Sequence, residues 1–191
     1  MNGGLVAALG AAGMCVGAGT AILLARAGAS VPLRATAAGT GLAWSVVTAS
    51  VTSVSWLPVP LVVTALAVPL VLADLRHRRL PDALTLPAYP LIVAVVPDPW
   101  TALAAAAVFG GLHLLVHVIA PRAMGAGDVK LAGALGAALG SVGWFALPVA
   151  TVVAAFITAL LGLTGRWTEG VPHGPGLLTG AAALAILHVP P

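Results

Sequence analysis

The sequence predicts an all-α fold, a polytopic helical membrane protein of about eight transmembrane helices forming one membrane domain over residues 1–191. Three observations predict it. Hydrophobic residues make up 60% of the chain and charged residues 7%, with a mean hydropathy of +1.10, which places the chain in the membrane class. Pro, Gly and charged breaks divide the apolar sequence into eight runs, each near the ~20 residues a span requires or the ~17 at its lower limit. All basic residues then fall in alternate loops.

The first run, about 3–25, follows Met-Asn-Gly-Gly. That start lacks the positive n-region of a secretory signal, so the run is expected to stay as a span. It holds Cys15, the single cysteine, which excludes a disulfide within the chain and a four-cysteine zinc site and is expected to pack plainly. Arg26 and Arg34 lie in the loop before the second run, about 36–54, and the third, about 57–73, ends at Asp74. The fourth, about 83–97, contains Pro87 and Pro90, and the fifth, about 100–120, carries His113 and His117. The sixth, about 129–143, opens after Asp128 and places Gly133, Gly136 and Gly140 on one face for close helix packing. The seventh covers about 145–165 and the eighth about 176–190. The 23 glycines and 15 prolines are tolerated in spans because neighbouring helices and Ser/Thr side chains satisfy the disturbed backbone.

Threaded this way, Arg26, Arg34, Arg76, Arg78, Arg79, Arg122, Lys130 and Arg166 share one side. The positive-inside rule makes that side cytoplasmic, puts both termini outside and leaves Asp98 on the outer face. The pI of about 10.0 is no sign of nucleic-acid binding, because the net charge is only +3 and the bases are scattered in short loops. The lipid bilayer is the expected environment. The loop from Arg26 to Ala37 is too short to fold alone.

Only five acids occur, and a mid-membrane charge costs at least ~2.5–3.5 kcal/mol. Asp74 and Asp128 both stand where an apolar run meets the basic side, so they can face each other. Two close carboxylates cannot both ionise cheaply, and the pair then offers a general acid and a general base. That equipment suits peptide hydrolysis, with no metal or cofactor required. Gly125 and Gly127 would permit unusual backbone angles and let an extended strand approach Asp128. Plainer readings stand beside these. Asp74 could pair with Arg76, Arg78 or Arg79, Asp128 could N-cap the sixth span, and Asp82, after Pro81, could cap the fourth and tune Asp74. Lys130 could snorkel to the anionic leaflet or hold acidic substrate groups. His113 and His117 form at most half a metal site without an evident third ligand.

The stretches Asp74-Leu75-Arg76-His77-Arg78-Arg79-Leu80-Pro81-Asp82-Ala83-Leu84-Thr85 and Met124-Gly125-Ala126-Gly127-Asp128-Val129-Lys130-Leu131 closely resemble the two signature regions of the type IV prepilin peptidases, Gly-x-Gly-Asp aspartic membrane proteases. The resemblance covers about residues 57–180, a prepilin-peptidase-like core, and includes Pro172-His173-Gly174-Pro175-Gly176-Leu177, similar to a Gly-Pro turn before the family's last span. It implies Asp74 and Asp128 as the catalytic pair, with Gly125, Gly127, Lys130, Pro81 and Asp82 supporting or binding substrate. It further implies a prepilin or pseudopilin precursor as partner, its basic leader cut at the cytoplasmic side of the inner membrane. Long members of the family carry two Cys-x-x-Cys pairs after the first span and also methylate the product; here that place holds only Arg26 to Ala37. A short, peptidase-only form, like those of tight-adherence and Flp-type pilus systems, is therefore expected, and N-methyltransferase activity is in doubt. His173 stands where the family more often has an aromatic residue, which leaves that loop's role open.

Three rival readings remain. A small proton-coupled transporter using the same acids as a relay expects acids near mid-bilayer and matched broken helices, for which Pro69, Pro87 and Pro90 are the candidate breaks. A presenilin-like protease expects Tyr before the first Asp, where this chain has Ala73 and its only tyrosine is Tyr89. A passive assembly subunit expects neither Asp to matter.

Overall fold

The chain folds as eight α-helices with no strand among the described residues, seen in a computed structural model that describes residues 2–121, 124–167 and 170–189. They are α1 (Gly3–Arg26), α2 (Leu33–Ser50), α3 (Pro58–His77), α4 (Asp82–Val95), α5 (Pro99–Ile119), α6 (Ala126–Val142), α7 (Ala146–Leu163) and α8 (Gly174–Leu187). Each expected run corresponds to one helix. Four of them, α1, α3, α5 and α7, are long and apolar enough to cross a membrane. The shortest, α4 and α8, have 14 residues each and rise only about 21 Å at 1.5 Å per residue, against a hydrocarbon core of about 30 Å.

Helices α3 and α6 occupy the middle. Every residue from Leu131 to Gly140 of α6 is buried, and α3 buries ten residues from Val59 to Asp74. Around them, large apolar side chains such as Leu112, Val118, Phe156 and Leu160 point outward, a distribution that suits a lipid surround rather than water. Small residues allow the tight crossings. A Cβ on Gly17 of α1 would lie 2.6 Å from Thr36 O of α2, and one on Gly136 of α6 would lie 2.9 Å from Ala105 O of α5. The expected glycine face of α6 is therefore the surface on which α5 and α4 pack. Pro69, Pro87 and Pro90 sit inside continuous helices, so the breaks a transporter would use are absent from α3 and α4.

Cross-contacts fix which ends lie together. At one end, His77 at the close of α3 bonds Ser30 O in the α1–α2 loop, and Lys130 at the start of α6 meets Asp82 at the start of α4. At the other, the buried Trp56 before α3 donates Nε1–H to Ala185 O near the end of α8. The described basic residues flank helix ends that these contacts gather, or that alternate with them along the chain; Arg122 lies outside the described residues. Asp98 is far from that end, capping the start of the 21-residue α5 by accepting from Trp100 N and Thr101 Oγ1.

Candidate active site

Asp74 sits in the last turn of α3, buried to 4% exposure. The helix ends four residues later, where Arg78 takes a left-handed conformation (φ 50°, ψ 41°) and donates its N–H to Asp74 O at 2.7 Å. A non-glycine residue there is uncommon and strained, and the reversal sends the chain through Leu80 and Pro81 into α4. The Asp74 carboxylate accepts the main-chain N–H of Gly174 at 3.1 Å, satisfying a first-turn donor of α8 that would otherwise lack a partner. A side chain at 174 would place its Cβ 2.7 Å from Asp74 Oδ2.

Asp128 is the third residue of α6, not its N-cap; Gly125 holds that position. Its Oδ2 accepts the Gly125 N–H at 3.1 Å, the acidic half of a capping box, and its Oδ1 is buried without a partner among the described residues. Gly125 has φ −76° and ψ 152° and Gly127 is helical, so neither uses the unusual angles expected of them. Their value is space. A Cβ on Gly125 would lie 3.2 Å from Asp128 Oδ2, and one on Gly127 would lie 3.1 Å from Leu80 Cβ. Gly127 thus lets Leu80, from the turn after Asp74, rest on the first turn of α6.

The two carboxylates line the same space. One cavity of about 180 Å³ is bounded by Asp74, Arg78, Gly125, Asp128, Pro172 and His173 among others, and an adjoining one of about 250 Å³ by Asp74, Arg78, Leu80, Gly125, Gly127 and Asp128. The acids are close enough to act on each other electrostatically, and the Arg78 guanidinium acts on Asp74 as an opposing charge. His173 closes the cavity from the α7–α8 side with Nδ1 2.8 Å from Thr158 Oγ1, and burial lowers its pKa below the ordinary imidazole range.

The remaining expected residues lie beside this space. Lys130 Nζ bonds both carboxylate oxygens of Asp82 at 2.8 and 2.9 Å, so Lys130 is paired rather than extended alone toward lipid, and the Asp82 carboxylate faces α6 instead of capping α4, whose N-cap is Pro81. Pro81 and Asp82 line a separate hollow of about 360 Å³ with Arg79 and Leu80. His113 and His117 give their Nδ1 atoms to main-chain carbonyls, of Phe109 and Met124, each within its own helix or the turn after it. No group of three His, Cys, Asp or Glu residues able to hold a metal occurs among the described residues. Gly174 is a further residue of the site, marked in the sequence only as part of the Gly174-Pro175 turn before the last run.

Two curated proteins named "Prepilin leader peptidase/N-methyltransferase", from Burkholderia pseudomallei strains 1026b and K96243, are each 35% identical over 135 residues, covering 61% of this chain and 42% of the relative. The chain thus spans less than half the length of these relatives. No solved structure matches it. Residues 61–163, which contain both aspartates, most of α3 and all of α6, match the family described as "Type IV leader peptidase family", and with more than half its length so matched, the chain belongs to that family.

Proposed function

We propose that the protein is a membrane aspartic endopeptidase that removes the basic leader from type IV prepilin or pseudopilin precursors, with Asp74 and Asp128 activating a water. The observation that carries this reading is the shared cavity. Each acid has one oxygen engaged by a glycine N–H, and the buried Oδ1 of Asp128 has no partner among the described residues, which leaves it for a water or a shared proton. With one carboxyl protonated and the other ionised, the ionised group takes a proton from water as the water oxygen bonds the scissile carbonyl carbon. The protonated group hydrogen-bonds the developing oxyanion. The C–N bond then breaks as the amine leaves with a proton from the pair.

Gly125 leaves room beside the Asp128 carboxylate and Gly127 lets Leu80 pack on the turn that carries it, and Lys130, Asp82 and Pro81 support the two chain turns that carry the acids. In this reading all eight helices form one domain in the inner membrane, with residues 57–180 as the peptidase core, the shorter helices spanning a locally thin or recessed region, and the site on the cytoplasmic side where the basic residues gather. The reaction read from these residues is hydrolysis of the peptide bond. Co-expression with a prepilin tests it. Wild type should shorten the substrate, while Asp74→Asn and Asp128→Asn should insert normally and lose at least ~10²–10⁴-fold in rate; undiminished cleavage by either variant would refute the assignment.

A further inference from the structure

The cavity contains an imidazole that the two-carboxylate reading leaves unused. His173 lines it together with Asp74 and Asp128, and the residue that follows, Gly174, is the one bonded to Asp74. His173 is anchored from outside the cavity: its Nδ1 lies 2.8 Å from Thr158 Oγ1 of α7.

That contact bears on where the ring proton sits, since a hydroxyl can donate to Nδ1 or accept from it. A threonine inside a helix usually donates to the carbonyl four residues back, as Thr151 does to Leu147 O at 3.0 Å. The Thr158 hydroxyl instead meets His173 Nδ1, and a hydroxyl donating there leaves Nδ1 as acceptor and the ring proton on Nε2. The neighbouring His113 is arranged the other way. Its ring centre is 6.3 Å from that of His173, but its Nδ1–H is spent on Phe109 O at 2.8 Å, which leaves its Nε2 an acceptor. With the Thr158 hydroxyl as donor, the half-buried His173 keeps an N–H for the cavity, whereas the buried His113 does not.

We propose that His173 is a further substrate-binding residue, a neutral imidazole whose Nε2–H, set by Thr158, donates a hydrogen bond to the scissile carbonyl oxygen as it becomes an oxyanion. This rests on the peptidase reading above. An oxyanion accepts more than one donor, and the protonated carboxyl supplies one; a second, preorganised donor stabilises the transition state more than the ground state. Burial favours the neutral ring, so the donor is present without a third charge beside the acids and Arg78.

The test is steady-state cleavage of a prepilin by the purified full chain. His173→Phe, which keeps a flat ring but no donor, should lower kcat about 10²-fold with KM unchanged. His173→Gln, whose amide N–H reaches roughly the position of Nε2–H, should retain most of the kcat, and Thr158→Val, which frees the tautomer, should fall between them. Wild-type kcat in His173→Phe, or equal impairment of the Gln and Phe variants, would overturn the role. Asp74→Asn serves as the control in the same assay: its continued cleavage would refute the aspartic mechanism itself, whereas its inactivity beside a fully active His173→Phe would refute only the role of His173.

Discussion

Asp74 and Gly174 stand 100 residues apart and are joined by a 3.1 Å hydrogen bond that ties the end of α3 to the start of α8. Asp128 has a matching partner in Gly125, but within its own helix. One acid is therefore held by local backbone and the other by tertiary structure. The position of Asp74 relative to Asp128 depends on how α8 docks.

Gly174→Ala should show this dependence. The added Cβ would stand 2.7 Å from Asp74 Oδ2 and 3.3 Å from its Cγ, so the carboxylate must move. A displacement of about 1 Å at a reacting group costs on the order of 10²-fold in rate. The expected result is a large loss of kcat with much of the folded protein retained. Gly176→Ala, whose Cβ would strike the α7 backbone 2.5 Å from Ala154 O, should instead lower the melting temperature in detergent.

The Asp82–Lys130 pair bridges the two turns that carry the acids, but both side chains are about half exposed, at 56% and 42%. Exposed pairs contribute roughly 0.2–1 kcal/mol and are screened by salt. Lys130→Gln should therefore cause only a small drop in melting temperature, and high salt should cause a similar drop in the wild type. The exchanged double variant, Asp82→Lys with Lys130→Asp, should recover part of it. A failure of the exchange to recover any stability would show that the residues act separately.

Acid should weaken α5 through Asp98. The Thr101 hydroxyl, helped by the main-chain N–H groups of Thr101 and Trp100, holds its carboxyl below the ordinary range. A group whose folded pKa is lowered contributes fully above its unfolded value, about 3.9, and loses that contribution as pH falls through the folded value. Melting curves from neutral pH down to about pH 3 should show an acid-dependent loss in the wild type that is smaller in Asp98→Asn, since Asn still caps but does not titrate.

Much of this arrangement was legible in the sequence. The eight helices follow from apolar runs broken by Pro, Gly and charge, and Asp74 and Asp128 stood out because acids at the edge of such runs are costly. What was hidden depends on partners distant in the chain. Nothing in the spacing reveals that Gly174 bonds Asp74, or that Lys130 meets Asp82 rather than lipid. The glycines beside Asp128 misled in a specific way: glycine permits both unusual angles and close approach, and only coordinates distinguish them, here in favour of contact with Leu80 and with Asp128 itself. The ends of the runs shift by a few residues, most at α2, which starts at Leu33 rather than about 36, and at α3, which runs on to His77, because hydropathy does not register where backbone hydrogen bonding stops.

Tyr89 and Gly133 give the sharpest packing test. The Tyr89 hydroxyl of α4 donates to Lys130 O at 2.8 Å, two residues beyond Asp128, and it reaches that carbonyl only because position 133 has no Cβ; one built there would overlap the hydroxyl and lie 3.0 Å from Cζ. Tyr89→Phe removes one partly buried hydrogen bond and should cost about 1 kcal/mol. Gly133→Ala should cost more, because the ring must be displaced and the bond is lost as well. The double variant should be more stable than the sum of the single losses predicts, since without the hydroxyl the worst contact of the new methyl disappears. Unfolding of all three in detergent measures the coupling. Additive losses would mean that α4 already stands off from α6, in which case Tyr89 does not hold the first turn on which Asp128 is carried.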